Sequence, residues 1–321
     1  MFQLLNDLQN ISEDAAARML TERATADCVW HVAHPINTLI GPAEVAEKLI
    51  QPLRKALPGA MRRDDIFIGG TSRTGSGDWV AALGHYVGNF ENPLFGIAPN
   101  HHLVFLRYGE FYRLESGKIA EAVILIDVLD LLRQVGRMPL PKLLGAEMLF
   151  PAPATHDGIR PNAPERSQRS ADLVEAMLRD LHAYDLSTFQ SAGQTGPNGY
   201  WRPDMLWYGP AGIGSNFTYP GFDKDHRIAF LTAFPDRKGG NHFARFGDGD
   251  YVCSGGWPSM TATHRGPYLG VPATDAAVTV RVMDFWRVAD RQIAENWVLI
   301  DMIDLFKQMG VDLLARAEEM V

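Results

Sequence analysis

Two cysteines, Cys28 and Cys253, are all that the 321 residues hold. That scarcity excludes a disulfide framework and a thiolate metal cluster as organising devices. Positive charge is short as well: 30 Lys and Arg face 38 Asp and Glu, a formal charge of -8. Nucleic acid and anionic membrane surfaces require a basic face, so neither is expected as a partner. No apolar run approaches the length of a membrane span. The opening residues, Met1-Phe2-Gln3-Leu4-Leu5-Asn6-Asp7, lack the basic-then-apolar order of a secretory signal. A soluble cytoplasmic protein is the expectation. With 46% apolar and 21% charged residues the chain is of globular composition, long enough for two domains.

What is present is a repeat. Asp27–Pro58 lies on Asp204–Pro235 at a shift of 177, so that Trp30 meets Trp207. Gly77-Asp78-Trp79-Val80 matches Gly249-Asp250-Tyr251-Val252 at a shift of 172, and Phe111–Gly136 matches Phe285–Gly310 at 174. The last pair shares 12 identities in 26 positions, where unrelated segments share about two. The extra length of the first copy falls in Gly69–Gly77, a glycine-rich stretch that reads as a mobile hairpin tip. Between the copies, Arg137–Gln168 holds six prolines, Pro139, Pro141, Pro151, Pro153, Pro161 and Pro164, and reads as a stiff extended connector. The expected division is residues 1–140, a connector at 141–168, and 169–321.

Each copy reads as helices followed by strands. Helices are expected at Ser12–Thr21, where Ser12 and Asp14 suit an N-terminus, around Gly41–Leu57, and at Ala171–Tyr184. Strands are expected at Ile66–Ile68, Trp79–Phe90, Leu103–Tyr112 and Ile119–Ile126, with counterparts in the second copy. That order indicates an α+β fold, a curved antiparallel sheet wrapped on helices with a pocket in its mouth. The outer face of each sheet needs cover, and the other copy is the simplest cover, giving an internal pseudo-dimer. Further homo-oligomerisation stays open.

The last strand of each copy runs into a short helix with a carboxylate at the joint, Asp127 and Asp301, and a second acid three residues on, Asp130 and Asp304. Trp257, Thr263-His264-Arg265-Gly266-Pro267-Tyr268-Leu269-Gly270, Ile293-Ala294-Glu295-Asn296-Trp297, Asp301 and Gln308-Met309-Gly310 follow in order. This series resembles the SnoaL-like polyketide (ester) cyclases, well over residues 200–315 and more weakly over 25–136. The resemblance implies tandem NTF2-like (cystatin-like) α+β barrels and ring closure by intramolecular aldol condensation, without metal or organic cofactor. It places an acid/base aspartate at Asp301, with Asp127 as the counterpart, and a hydrogen-bond donor at His264. The first copy departs from the pattern, with Glu91-Asn92 for Thr263-His264 and Val123 for Trp297.

Each of these residues also has a structural reading. Asp at a helix start with an acid three residues later is a normal N-cap arrangement. Trp30, Trp207, Tyr219, Trp257, Tyr268 and Trp297, with His34 and His85, are candidate pocket walls, and large aromatics equally fill a small core. His31, His34, His85, His101 and His102 are half of the ten histidines. Their spacing matches no metal-binding motif, so pocket or surface positions are expected. The glycine-rich stretch lacks the lysine and the strand–turn–helix context of a phosphate loop. Three functions stay open: cofactor-free acid/base chemistry on a small apolar carbonyl compound (cyclisation, isomerisation, dehydration or hydrolysis), non-catalytic binding of a small ligand, or a protein scaffold with filled cones. A catalytic Asp301 should face the cavity, whereas a capping Asp301 should be spent on its own helix.

Overall fold

The computed structural model describes residues 1–10, 13–147, 150–159, 163–185 and 187–320. The first domain carries strands β1 (Ala24–Val32), β2 (Asn37–Ile40), β3 (Met61–Thr71), β4 (Asp78–Asn89), β5 (Leu103–Glu115) and β6 (Lys118–Ile126). They form one sheet in the order β2-β1-β6-β5-β4-β3. The second carries β7 (Trp201–Tyr208), β8 (Ser215–Phe217), β9 (Lys238–Gly239), β10 (His242–Asp248), β11 (Tyr251–Thr263), β12 (Ala277–Ala289) and β13 (Gln292–Ile300). Its sheet runs β10-β11-β12-β13-β7-β8, the same order, with β9 joining β11. The architecture is two α+β domains.

Each sheet is mixed rather than wholly antiparallel. β1 pairs parallel with β6, and β7 parallel with β13. Most of each domain intervenes between those partners, and only a connection of that length permits parallel pairing. The helices differ more. In the first domain α1 (Phe2–Asn10) and α2 (Glu13–Arg23) precede the sheet. The expected helix start at Ser12 lies outside the described residues, as do the side chain of Asp14 and Pro161 of the connector. Residues 41–56 form α3 (Gly41–Val45), a π turn (Ala46–Ile50) and α4 (Gln51–Ala56). In the second domain α6 (Ser167–His182) roofs the sheet, with α7 (Thr218–Phe222) and α8 (Ile228–Ala233) inside the cone. A short helix follows each last strand, α5 (Val128–Gln134) and α9 (Met302–Gln308), and α10 (Leu313–Glu318) ends the second domain.

The two sheets pack face to face through a buried cluster that includes Trp79, Leu125, Phe243, Cys253, Trp297 and Leu299. Phe111 and Phe285 occupy equivalent positions in the two copies, and their rings touch at 5.6 Å. Contact between equivalent residues is what a twofold relation between the halves gives. The glycine-rich hairpin tip is docked. Arg73 donates its backbone N–H to the Arg245 carbonyl at 2.8 Å and pairs with Asp172 and Glu175 of α6. Gly75 passes so close to Phe243 that a Cβ would lie 2.0 Å from its carbonyl oxygen, which only glycine avoids. The connector is pinned too: Trp297 donates from Nε1 to the Pro151 carbonyl at 2.8 Å, and Phe67 N–H donates to the Gly158 carbonyl.

Candidate functional site

The aspartates at the strand–helix joints are spent on structure, and in a reciprocal way. Asp127 Oδ1 accepts from the Asp130 N–H at 3.1 Å, the N-cap bond, while Oδ2 accepts from the Ala211 N–H of the other domain at 3.1 Å. Asp301 repeats this: Oδ1 takes the Asp304 N–H at 3.2 Å, and Oδ2 takes the His34 N–H of the first domain at 2.9 Å. His34 and Ala211 are equivalent under the 177 shift. Arg281 adds a bond of 2.9 Å to Asp301 Oδ2, and its counterpart Arg107 donates to the Tyr208 and Gly209 carbonyls. Burial raises the Asp301 carboxyl to about 6 and holds that of Asp127 up as well. Neither is among the residues that line the second domain's cavity or its mouth.

The open cavity lies elsewhere, inside the cone of the second domain. Its inner part measures about 140 Å³ and is walled by Trp201, Trp207, Trp286, Phe222 and Phe230. A cavity of roughly 150 Å³ accommodates a benzene ring. Alternation along β12 turns Val282, Asp284 and Trp286 to the cone and Met283 and Phe285 to the opposite sheet. Asp284 is thus a carboxylate in an aromatic wall. Burial pushes its carboxyl up to about 7, against a weak pull from Asn296 and Arg245. Its bond from Asn296 Nδ2 is long, 3.5 Å, and among the described residues no cation lies within ion-pair distance of it. Of the three raised aspartates, Asp284 is the one that opens on the cavity.

Three further cavity groups hold a buried polar atom without a protein partner, Trp286 Nε1, His226 Nδ1 and Arg227 Nε. His226 stacks on Trp207 at 4.2 Å, and burial lowers its imidazolium to about 3, so the ring is neutral near pH 7. Trp286 lies two residues from Asp284 on the same strand face, roughly 7 Å along the strand.

The other candidates fall apart spatially. Trp207 lines the cavity, and Tyr219 packs behind it on Phe222 at 5.6 Å. His264 is buried at the end of β11, its Nδ1 3.0 Å from Thr274 Oγ1 and its ring beside Phe234. Tyr268 also packs on Phe234, with its hydroxyl unpartnered. Trp297 belongs to the contact between sheets, and Trp257 is stacked under Arg281 at 4.2 Å, beside His31. His34 sits at the domain contact near Lys307, and His85 bonds Asp65 at 3.2 Å on the strand face opposite Tyr86. Trp30 lines the first cone, where only about 20 Å³ is left. Among the described residues no group of three or more His, Cys, Asp or Glu converges as metal ligands, and no helix is long and apolar enough to cross a membrane.

Asp284 is not among the residues that the sequence singles out. Its signal was an acid among the otherwise apolar alternate positions Val278, Val280, Val282, Trp286 and Val288, one residue before the repeated block that begins at Phe285.

A curved sheet closed by helices over an aromatic cavity with one buried acid has the form of a small-molecule site. A family model described as SnoaL-like polyketide cyclase matches residues 3–135 and 223–309. That span exceeds half of the chain, and the chain belongs to the SnoaL-like polyketide cyclase family. Among solved structures it is similar to a candidate SnoaL-like polyketide cyclase from Jannaschia sp. CCS1, with 17% identity over 42% of this chain and 88% of that one, TM-score 0.35. It is similar to AclR, a candidate hydroxylase from Streptomyces galilaeus, with 23% identity, coverage of 45% and 86%, and TM-score 0.35. IdmH, a candidate polyketide cyclase from Streptomyces antibioticus, gives 20% identity, coverage of 44% and 99%, and TM-score 0.34. Comparison with curated proteins returns no match.

Proposed function

We propose that the second domain acts on a small, largely aromatic carbonyl compound by cofactor-free proton transfer, with Asp284 as the acid/base. The ionised carboxylate removes a proton from the carbon next to the carbonyl. A small turn of the Trp286 ring brings its indole N–H, buried beside the cavity, to the enolate oxygen. The carbanion then attacks a second carbonyl of the same molecule, and the proton held on Asp284 passes to the new alkoxide. That sequence is an aldol ring closure; returning the proton to a different carbon of the enolate would instead be isomerisation. Asp301 and Asp127 hold the domains together in this reading, and the first domain supports the second.

The observation that carries the proposal is a carboxylate without an ion pair on the wall of an aromatic cavity, where burial pushes it up to about 7. A general base is most effective when its pKa lies near the working pH. The test is turnover of keto-esters, aromatic polyketides and lactones, followed by mass spectrometry, with wild type beside Asp284→Asn. Asp284→Asn should bind the turned-over compound and convert it about 10²–10⁴-fold more slowly. Unchanged conversion by Asp284→Asn overturns the assignment, and binding without conversion by wild type makes this a ligand-binding protein.

A further inference from the structure

We infer that the ligand of the second domain carries an anionic group, a carboxylate or similarly delocalised anion, held by Arg237 and Arg245 at the cavity mouth while its aromatic part lies inside. This specifies the substrate class of the site proposed above and rests on that reading. The inner cavity continues into an open mouth of about 740 Å³, and both spaces are bordered by Leu178, His182, Arg237, Met260, Asp284 and Trp286. The mouth holds the cations Arg179, Arg237, Lys238 and Arg245 against the acids Glu175 and Asp284. Glu175 is already paired with Arg73 of the first domain at 3.2 Å. In a chain of formal charge -8, the mouth is therefore a local excess of positive charge.

Both arginines are half-buried and fixed without being neutralised. Arg237 donates from Nη1 to the Tyr184 hydroxyl at 2.9 Å and lies against that ring at 4.8 Å. Arg245 donates from Nε to Ser254 Oγ at 3.2 Å. Among the described residues no carboxylate stands within ion-pair distance of either. Burial lowers the affinity of both guanidinium groups for their proton, and Glu175 and Asp284 offset this only in part at Arg245, neither within ion-pair distance. A planar guanidinium pre-set by a stack or a hydrogen bond is suited to a carboxylate. His182 and His242 border the same space, both lowered by burial, His242 to about 4, so they offer hydrogen bonds without competing charge. The mouth thus selects charge, and the aromatic interior selects shape.

The test is calorimetric titration of the full chain with 2-naphthoate and with methyl 2-naphthoate, which share the ring and differ in charge. Wild type should bind the acid at least tenfold more tightly than the ester, with the preference shrinking as salt rises. Arg245→Met and Arg237→Met should each remove most of that preference and leave ester binding within about twofold, and Arg237→Lys should restore part of it. Equal binding of acid and ester, no binding of the acid, or equal weakening of both by the arginine variants overturns the inference. The readout is independent of turnover, so Asp284→Asn separates the two claims. Lost turnover with an intact acid preference upholds both, and intact turnover with an intact preference removes the proton-transfer reading alone.

Discussion

Glu110 and Asp284 stand at the same place in the two domains and have opposite surroundings. Glu110 pairs across its sheet with Ala82 and Ile124, and Asp284 with the equivalent Ser254 and Val298. In the first domain Arg62 grips both oxygens of Glu110, at 3.0 and 2.7 Å, and Tyr86 and Tyr112 each donate a hydroxyl. Asp64 takes the rest of the guanidinium and the Tyr108 hydroxyl, and Leu5 and Leu8 of α1 close the cone. The second domain has none of these parts. β10 has seven residues against eleven in β3, the place of Arg62 falls to Gly239 of β9, which carries no side chain, and Trp286 stands where Tyr112 does. A buried acid with every lone pair satisfied is a structural element, while the same acid left unpaired beside a cavity is available for chemistry.

The contrast can be broken from either side. Glu110→Gln leaves Arg62 charged and under-paired in the core. It should lower stability by about 3 kcal/mol in denaturant unfolding without changing ligand turnover. A comparable loss of turnover would mean that the first cone takes part in the chemistry. The pH dependence should sharpen the contrast. Asp284 has an ordinary value of 3.8 and a folded value of about 7. Between those values the folded chain keeps a proton that the unfolded chain releases, so this group removes stability as pH rises through the window. Asp284→Asn escapes that loss. It should match wild type near pH 4 and exceed it by about 2–4 kcal/mol near pH 8, at about 1.4 kcal/mol per pKa unit. An unchanged or reduced melting temperature at pH 8 would contradict the raised carboxyl. The initial rate of wild type should rise with pH and level off above about 7, as a general base requires. The smallest effect belongs to the paired caps. Asp301→Ala and Asp127→Ala should each cost about 2 kcal/mol, near the upper end for an N-cap because each also loses a bond to the other domain. Both should keep wild-type turnover per folded molecule, and a selective loss in Asp301→Ala would return the catalytic role to that residue.

Much of this arrangement was legible in the chain. The block beginning at Phe111 and Phe285 announced two equivalent units, and Asp301 with Asp304 three residues on announced a helix start, because cap chemistry is local. Contacts between the copies were less visible. Nothing local to Gly69–Gly77 indicates that Arg73 reaches α6, and a composition suited to a mobile tip equally suits close backbone approach, as at Gly75. Trp297 was a candidate wall because it is large and aromatic, yet strand alternation puts Asn296 and Val298 on the cone face and Trp297 on the sheet contact. Asp284 lay in the same kind of alternating strand. Its identity as the cavity acid depended on which face of β12 looks inward and on the absence of the Arg62 cluster, neither of which a short window contains.

Turnover of one accepted substrate by Asp284→Asn and Glu110→Gln, side by side and corrected for folded protein, is the most direct test. The expected result is a loss of about 10²–10⁴-fold in Asp284→Asn and wild-type rates in Glu110→Gln. Equal activity of the two variants would contradict it.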